Sequence, residues 1–171
     1  MTNNLDVKIK RLHSDAVIPA YAHETDAGFD LIAVKDVTVE PGATVKVPTG
    51  LAFELPVDYE LQIRPRSGIT SKTKLRVQLG TVDAGYRGEV SVIVDNTAEN
   101  AYENVAQYLT YVDGIDYRTN GDLYPNDTYL IRKGDRIAQG VIAPVSHVTF
   151  SEVDNLEESD RGANGFGSSG V

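Results

Sequence analysis

With 171 residues and 41% apolar side chains, the chain has material for one domain with a core of its own. It lacks cysteine, which excludes disulfides, zinc–thiolate sites and thiol nucleophiles, and its three histidines (His13, His23, His147) make no metal-ligand spacing. A net charge of −9 argues against direct binding to nucleic acid, and no long apolar run marks a signal peptide or membrane span, so a soluble, cytoplasmic protein is expected.

The charge is unevenly placed. Residues 96–128 hold six acids and one base, and residues 151–160 hold five acids and no base. The remaining body is close to neutral, so a polyanionic ligand must meet local positive groups or bring a metal ion.

Residues 5–12 alternate loosely, with Leu5, Val7, Ile9 and Leu12 apolar, and predict a first strand. Residues 16–21 read as an extended segment stopped by Pro19. A turn over 25–30 leads into a short strand at 31–34. Segments 37–39 and 44–48, flanking Pro41-Gly42, read as a hairpin-like pair. A strand at 50–55 ends at Pro56, and 59–64 alternates cleanly. Residues 67–74 predict one short helix. Segments 75–79 and 88–94 predict two strands around the turn Asp83–Gly88, and 128–131 and 137–145 resume the β pattern. Short strands punctuated by Gly, Pro and Asp indicate an all-β barrel or sandwich.

Residues 96–127 differ in composition, carrying five of the nine tyrosines among Asn, Asp and Gly. A short helix is expected over 98–109, and a strand pair over 109–117 turning at Asp113-Gly114. Tyrosine beside acids suits a contact surface; a flap that packs on its own domain is the alternative.

The last eleven residues, Arg161 to Val171, contain four glycines and two serines, too little side chain for a helix face or a strand. Composition alone reads as a linker-like terminus. An arginine and a phenylalanine five residues apart, with free backbone N–H groups, also suit wrapping a nucleotide's phosphate chain.

Four interior loops carry further chemistry. Asp26 and Asp30 flank a Gly turn, which can hold waters on a hard cation or simply be a turn. Arg64-Pro65-Arg66-Ser67-Gly68 offers guanidinium, hydroxyl and N–H groups at a helix start, a phosphate cradle unless Ser67 is only an N-cap. In Gly80–Glu89, Asp83 at a strand end beside a tight turn suits a general base for water, or an ordinary hairpin. In Lys133–Gln139, Gln139 can orient water or phosphate, and Asp135-Arg136 can be a structural ion pair. Five such elements in this order are far more specific than any one.

The ordered set, Asp26–Leu31, Pro65–Gly68, Gly80–Glu89, Gly134–Gln139 and Arg161–Gly167 with its serines, closely resembles the trimeric dUTPase family, the deoxyuridine triphosphate nucleotidohydrolases. It covers nearly the whole chain except the insertion at about 96–127, which is similar in length and tyrosine content to that of dUTPases from phages of Gram-positive bacteria. The resemblance implies a jelly-roll-like β-barrel over 1–150, interrupted by the insertion, and a flexible Gly-rich arm over 151–171. It implies a homotrimer in which each site takes its hairpin from one chain, Asp30, Ser67 and Gln139 from a second, and the arm from a third. The implied reaction is dUTP plus water giving dUMP and pyrophosphate with Mg²⁺ on the phosphates.

By that resemblance Asp83 is the base, Gln139 fixes the attacking water or an α-phosphate oxygen, and Asp30 touches metal-bound water. Arg66, Ser67 and Gly68 face the phosphates; Arg66 helps place them or locks the trimer. Tyr86 stacks under the deoxyribose and excludes a 2′-hydroxyl. Uracil is read by backbone groups of Gly80, Thr81 and Val82 and of the strand near Ser91, with Gln78 within reach. Phe166 stacks over uracil, and Arg161, Gly167, Ser168 and Ser169 clamp the outer phosphates. Two alternatives remain: a dCTP deaminase-like enzyme, and a nucleotide-gated regulatory module. In the regulatory role a repressor-type protein is bound through 96–127 or the active-site face, alongside catalysis or instead of it.

Overall fold

Alternation in the sequence becomes pairing in the computed structural model, which describes residues 5–99 and 104–164. The strands of the first half are β1 (Lys8–Arg11), β2 (Phe29–Ile32), β3 (Val37–Val39), β4 (Thr44–Glu54) and β5 (Tyr59–Pro65). A single-turn helix α1 (Ser67–Lys72) follows, then β6 (Leu75–Val77), β7 (Gly80–Val82) and β8 (Val90–Asn96). The insertion contributes β9 (Val105–Ala106), β10 (Tyr108–Tyr111), β11 (Asp116–Arg118) and β12 (Tyr124–Pro125). The chain returns through β13 (Tyr129–Ile131) and β14 (Arg136–Pro144).

Three four-stranded sheets result, ordered β1-β4-β8-β6, β2-β14-β5-β7 and β11-β10-β13-β3, with a small β9–β12 ladder beside them. The architecture is all-β and jelly-roll-like. β8 shows why the sheets enclose a core: Val90, Val92 and Val94 are buried while Ser91, Ile93 and Asp95 turn outward. Leu31, Leu51, Leu61, Leu75, Ile131 and Ile137 are the largest side chains buried with them. Each contributes about 1.5–3 kcal/mol relative to exposure.

Several sequence expectations change. Segments 37–39 and 44–48 are not hairpin partners: Pro41-Gly42 makes a turn, but β3 pairs with β13 and β4 with β8. A turn signal fixes local direction and leaves the partner open. Segments 44–48 and 50–55 are one strand, interrupted by a bulge between Pro48 and Leu51. Gly50 sits there at φ +69, and an added Cβ would lie 2.9 Å from the Cβ atoms of Ala16 and His13. The helix at 67–74 ends at Lys72, because the Thr73 hydroxyl donates back to the Ile69 carbonyl as the backbone turns extended.

The helix expected over 98–109 is replaced, across its described part, by strands β9 and β10. β10 runs parallel to β13, Thr110 against Tyr129, which places β-favouring Val, Tyr, Leu and Thr residues in a sheet. The strand pair expected at 109–117 is present as β10 and β11, turning through Gly114 at φ +82 with the Ile115 N–H donating to Asp113 Oδ1 at 3.0 Å. The insertion thus packs on its own domain: Tyr111 and Tyr117 stack at 5.4 Å, and the Arg132 guanidinium lies 3.9 Å above the Tyr111 ring. Buried Asn96 ties it down, its amide donating to the Val39 carbonyl at 3.0 Å and the Asp127 carbonyl at 2.8 Å. Replacing Asn96 with Ala strands both acceptors and should cost about 3 kcal/mol in denaturant unfolding; a loss under 0.5 kcal/mol would refute the clasp.

Among the described residues no helix is long and apolar enough to cross a membrane.

Candidate active site

The chain leaves the first sheet just after β6. The Gln78 N–H still donates to the Ile93 carbonyl at 3.0 Å, but β7 then pairs with β5, Gly80 against Ile63 and Val82 against Leu61. β7 and β8 therefore diverge, although they flank one connection, and the expected two-strand hairpin opens into a cleft. That cleft is a cavity of about 480 Å³, lined by Gly80, Thr81, Val82, Asp83, Tyr86 and Ser91 from the residues singled out in the sequence.

Its connection is built for one shape. The Tyr86 N–H donates to the Asp83 carbonyl at 3.0 Å, closing the turn, and the Tyr86 hydroxyl donates to the Glu89 carbonyl at 3.0 Å. Gly88 lies under that ring: an added Cβ would collide with the hydroxyl oxygen, so a side chain at 88 would push Tyr86 away. Glu89 Oε1 accepts the Gly50 N–H at 2.8 Å, and the buried Thr49 hydroxyl donates to the Val90 carbonyl at 2.6 Å. The bulge in β4 thereby anchors the hairpin's base. Arg87 braces its tip, donating to the Ala84 and Tyr86 carbonyls, with Nε 3.9 Å from Glu54. The Lys8 ammonium, hydrogen-bonded to Glu54, holds that carboxyl below its ordinary range. The exposed Asp83 carboxylate has no hydrogen bond or ion pair among the described residues.

A second cluster runs across β2, β14 and β5 of the β2-β14-β5-β7 sheet. Asp30, Gln139 and Arg64 are cross-strand partners in one row. Asp30 lies 2.9 Å from Arg66 Nε and 3.4 Å from Arg136 Nη1. The Arg66 Nε–H is out of line for a hydrogen bond and is buried without another acceptor; Arg66 Nη1 donates to the Arg136 carbonyl at 3.0 Å. The sequence's alternative pairing, Asp135 with Arg136, does not form: Asp135 pairs with Arg132 at 3.4 Å and accepts its N–H at 2.8 Å. Asp26 holds its own turn, Oδ2 accepting the His23 N–H at 2.9 Å. Ser67 is the first residue of α1 rather than its N-cap, which is Arg66. Ser67 and Gly68 present the N–H groups a helix start leaves without intrahelical acceptors.

The two clusters do not meet within one chain. Asp30 on β2 is three strand spacings, about 14 Å, from β7, and Arg66, Ser67 and Gly68 follow the end of β5 that lies away from Asp83, since Leu61 pairs with Val82 and Ile63 with Gly80. None of Asp30, Arg66, Ser67, Gly68 or Gln139 lines the hairpin cavity. Gln78 also lies outside its lining, with its amide on Asp95. Arg161 is exposed on a turn, Nε donating to the Asn164 carbonyl at 2.9 Å. Phe166, Gly167, Ser168 and Ser169 lie outside the described residues.

Sequence reasoning missed five residues of the cavity lining: Lys46, Ile63, Glu89, Val90 and Ile93. It also missed the grip of Arg136 on Asp30. The Gly-Glu-Val following Tyr86-Arg87 was a usable signal for Glu89. Lys46 had none, since it reads as an ordinary outward position on a strand.

A cleft of small-ligand size bearing a carboxylate without a partner among the described residues, with arginines, a serine and a glutamine gathered elsewhere on the same β framework, marks an all-β protein with a small-molecule site. Its relatives narrow the class. The dUTPase family model matches residues 14–117 and 124–170. The deoxyuridine 5′-triphosphate nucleotidohydrolase of Gloeothece citriformis is 39% identical over 169 residues, covering 98% of each chain. The Staphylococcus bacteriophage 80alpha dUTPase, solved with dUpNHpp, superposes with a TM-score of 0.92 at 35% identity, covering 97% of this chain and 99% of that one. A variant of the dUTPase from phage phi11 of S. aureus, with a structural Mg(II) ion, gives 0.85 at 29% identity over 90% and 99%. The chain belongs to the dUTPase family.

Proposed function

We propose that the protein is a dUTP diphosphatase, hydrolysing dUTP to dUMP and pyrophosphate in the cytoplasm as a homotrimer with sites shared among its chains. The observation that carries this is Asp83, a carboxylate without a partner among the described residues, at the end of the β7–β8 cavity. Uracil enters between Gly80–Val82 and Ser91, whose backbone groups pair with its edge, and Tyr86 lies under the deoxyribose where a 2′-hydroxyl would collide. Asp83 takes the proton of a water that attacks the α-phosphorus in line. The new oxygen–phosphorus bond forms as the α–β bridging bond breaks, and the pair of electrons leaves with pyrophosphate. No covalent intermediate is needed, in keeping with a chain without cysteine.

The separation of the two clusters supports sharing between chains. Asp30, Arg66, Ser67, Gly68 and Gln139 of a second subunit face the phosphates: Ser67 and Gly68 donate N–H groups, and Gln139 holds the water or an α-phosphate oxygen. Asp30, gripped by Arg66 and Arg136, keeps both guanidinium groups aimed. The arm of a third subunit, through Arg161, Phe166, Gly167, Ser168 and Ser169, covers base and outer phosphates and excludes bulk water.

Among the described residues no three His, Asp or Glu side chains gather into a metal cage. The Asp30 carboxylate is a hard oxygen donor of the kind that suits Mg²⁺, which keeps waters and binds mainly through substrate phosphates, so Asp30 would reach it through water. Bound there, it would neutralise charge on the phosphates.

The test is pyrophosphate release from dUTP against dCTP, dTTP and UTP, with and without Mg²⁺. Release from dUTP alone, lost on chelation, is expected. Ammonia release from dCTP would instead establish the deaminase alternative.

The insertion supports a second role as a protein contact. It leaves Tyr108, Ile115, Tyr117 and Leu123 exposed on an acidic flap. The related staphylococcal phage dUTPases are described as controlling transfer of virulence genes. The proposed partner is a repressor-type protein, and co-migration of a purified phage repressor with the trimer, with and without dUpNHpp, tests it. Absence of co-migration in both conditions would remove the role.

A further inference from the structure

The wall of the cavity opposite Asp83 carries a residue the reaction above does not use. Lys46 of β4 lies directly across from Ile93 of β8, and Pro48 across from Ser91. With Val47, Val92 and Val94 turned into the core, Lys46, Ser91 and Ile93 share the outward face, and all three line the cavity. The lining holds two acids, Asp83 and Glu89, and Lys46 is its single basic side chain among the described residues. Glu89 is already engaged by the Gly50 N–H. Lys46 is exposed and, among the described residues, has no ion pair and no side-chain hydrogen bond.

Its place along the cavity decides what it can touch. The connection bearing Asp83 re-enters β8 at Val90, whereas Lys46 is in register with Ile93, three residues or about 10 Å further along. Asp83 and Lys46 therefore stand at opposite ends. In a deoxyuridine nucleotide whose α-phosphorus faces Asp83, ring atom N1 carries the sugar and points toward that end. Carbon 4 is across the ring from N1 and points away from it, toward Lys46.

We propose that Lys46 is a specificity-determining residue whose ammonium donates a hydrogen bond to the 4-carbonyl of uracil. Cytosine bears an amino donor at that carbon, so the group that holds uracil faces a second donor in cytosine and leaves it unpaired. The inference deepens the dUTP diphosphatase reading and rests on its placement of Asp83 at the α-phosphorus.

Calorimetric titration of dUMP and of dUpNHpp into wild type, Lys46→Met and Lys46→Arg tests it, together with kcat/KM for dUTP and dCTP. A contact to the base survives loss of the outer phosphates, so Lys46→Met should weaken both ligands by a similar factor, about tenfold. Lys46→Arg should recover most of that affinity, and the dUTP-over-dCTP ratio should fall about tenfold in Lys46→Met. A penalty confined to dUpNHpp would put the ammonium on the phosphates and overturn the proposal. Equal affinities in all three proteins would overturn it too. Turnover retained in Asp83→Asn is the separate result that would remove the orientation beneath it.

Discussion

Asp83→Asn should lose about 10³-fold or more in pyrophosphate release from dUTP while binding dUpNHpp within about twofold of wild type. The amide keeps the shape of the carboxylate but cannot take a proton from water. Nothing structural leans on the carboxylate: the turn is closed through the backbone carbonyl of Asp83, and its side chain has no partner among the described residues. The hairpin should therefore stay formed, held by Glu89 on Gly50 and by Tyr86 on the Glu89 carbonyl. On the proposed placement, the substitution removes a negative charge near the phosphates, which favours binding of the analogue. Single-turnover pyrophosphate release and calorimetry separate the two quantities, and turnover comparable to wild type would end the assignment of Asp83 as base.

Deleting residues 161–171 should leave a folded trimer by gel filtration and cost about 10²-fold or more in kcat/KM. The described part of the tail spends its polar groups on itself: Arg161 on Asn164, and the Gly162 N–H on Ser159. It is exposed throughout and adds nothing to the core, so stability should not change. On the proposed reading, what disappears is the Arg161 guanidinium and the Phe166 ring that cover the outer phosphates and the base. Full activity after truncation would make the tail the linker that its composition also suggests.

Local features of the sequence carried over into the structure, and distant partnerships did not. The short strands, the turn at Asp113-Gly114 and the compact loop at Asp83 were legible because alternation and turn chemistry are written in neighbouring residues. Residues 37–48 misled for the same reason, since Pro41-Gly42 reverses the chain without saying that β3 and β4 join different sheets. Across its described part, the expected helix at 98–109 gave way to strands, one of which pairs in parallel with a strand nineteen residues further on, a contact no local window contains. At the site, Asp83, Tyr86 and Ser91 line one cavity. Lys46 was invisible because an outward lysine on a strand is ordinary until β7 leaves β8 and makes that outward face a wall.

The separation of the hairpin cavity from Asp30 within one chain carries a genetic consequence. In a shared trimer, a lesion in one copy of the gene spoils centres that belong partly to healthy copies. Co-expressed Asp83→Asn would act as a poison out of proportion to its dose whenever it also carried a damaged arm. Two chains broken in different parts would lend each other what each lacks and recover a fraction of the lost turnover.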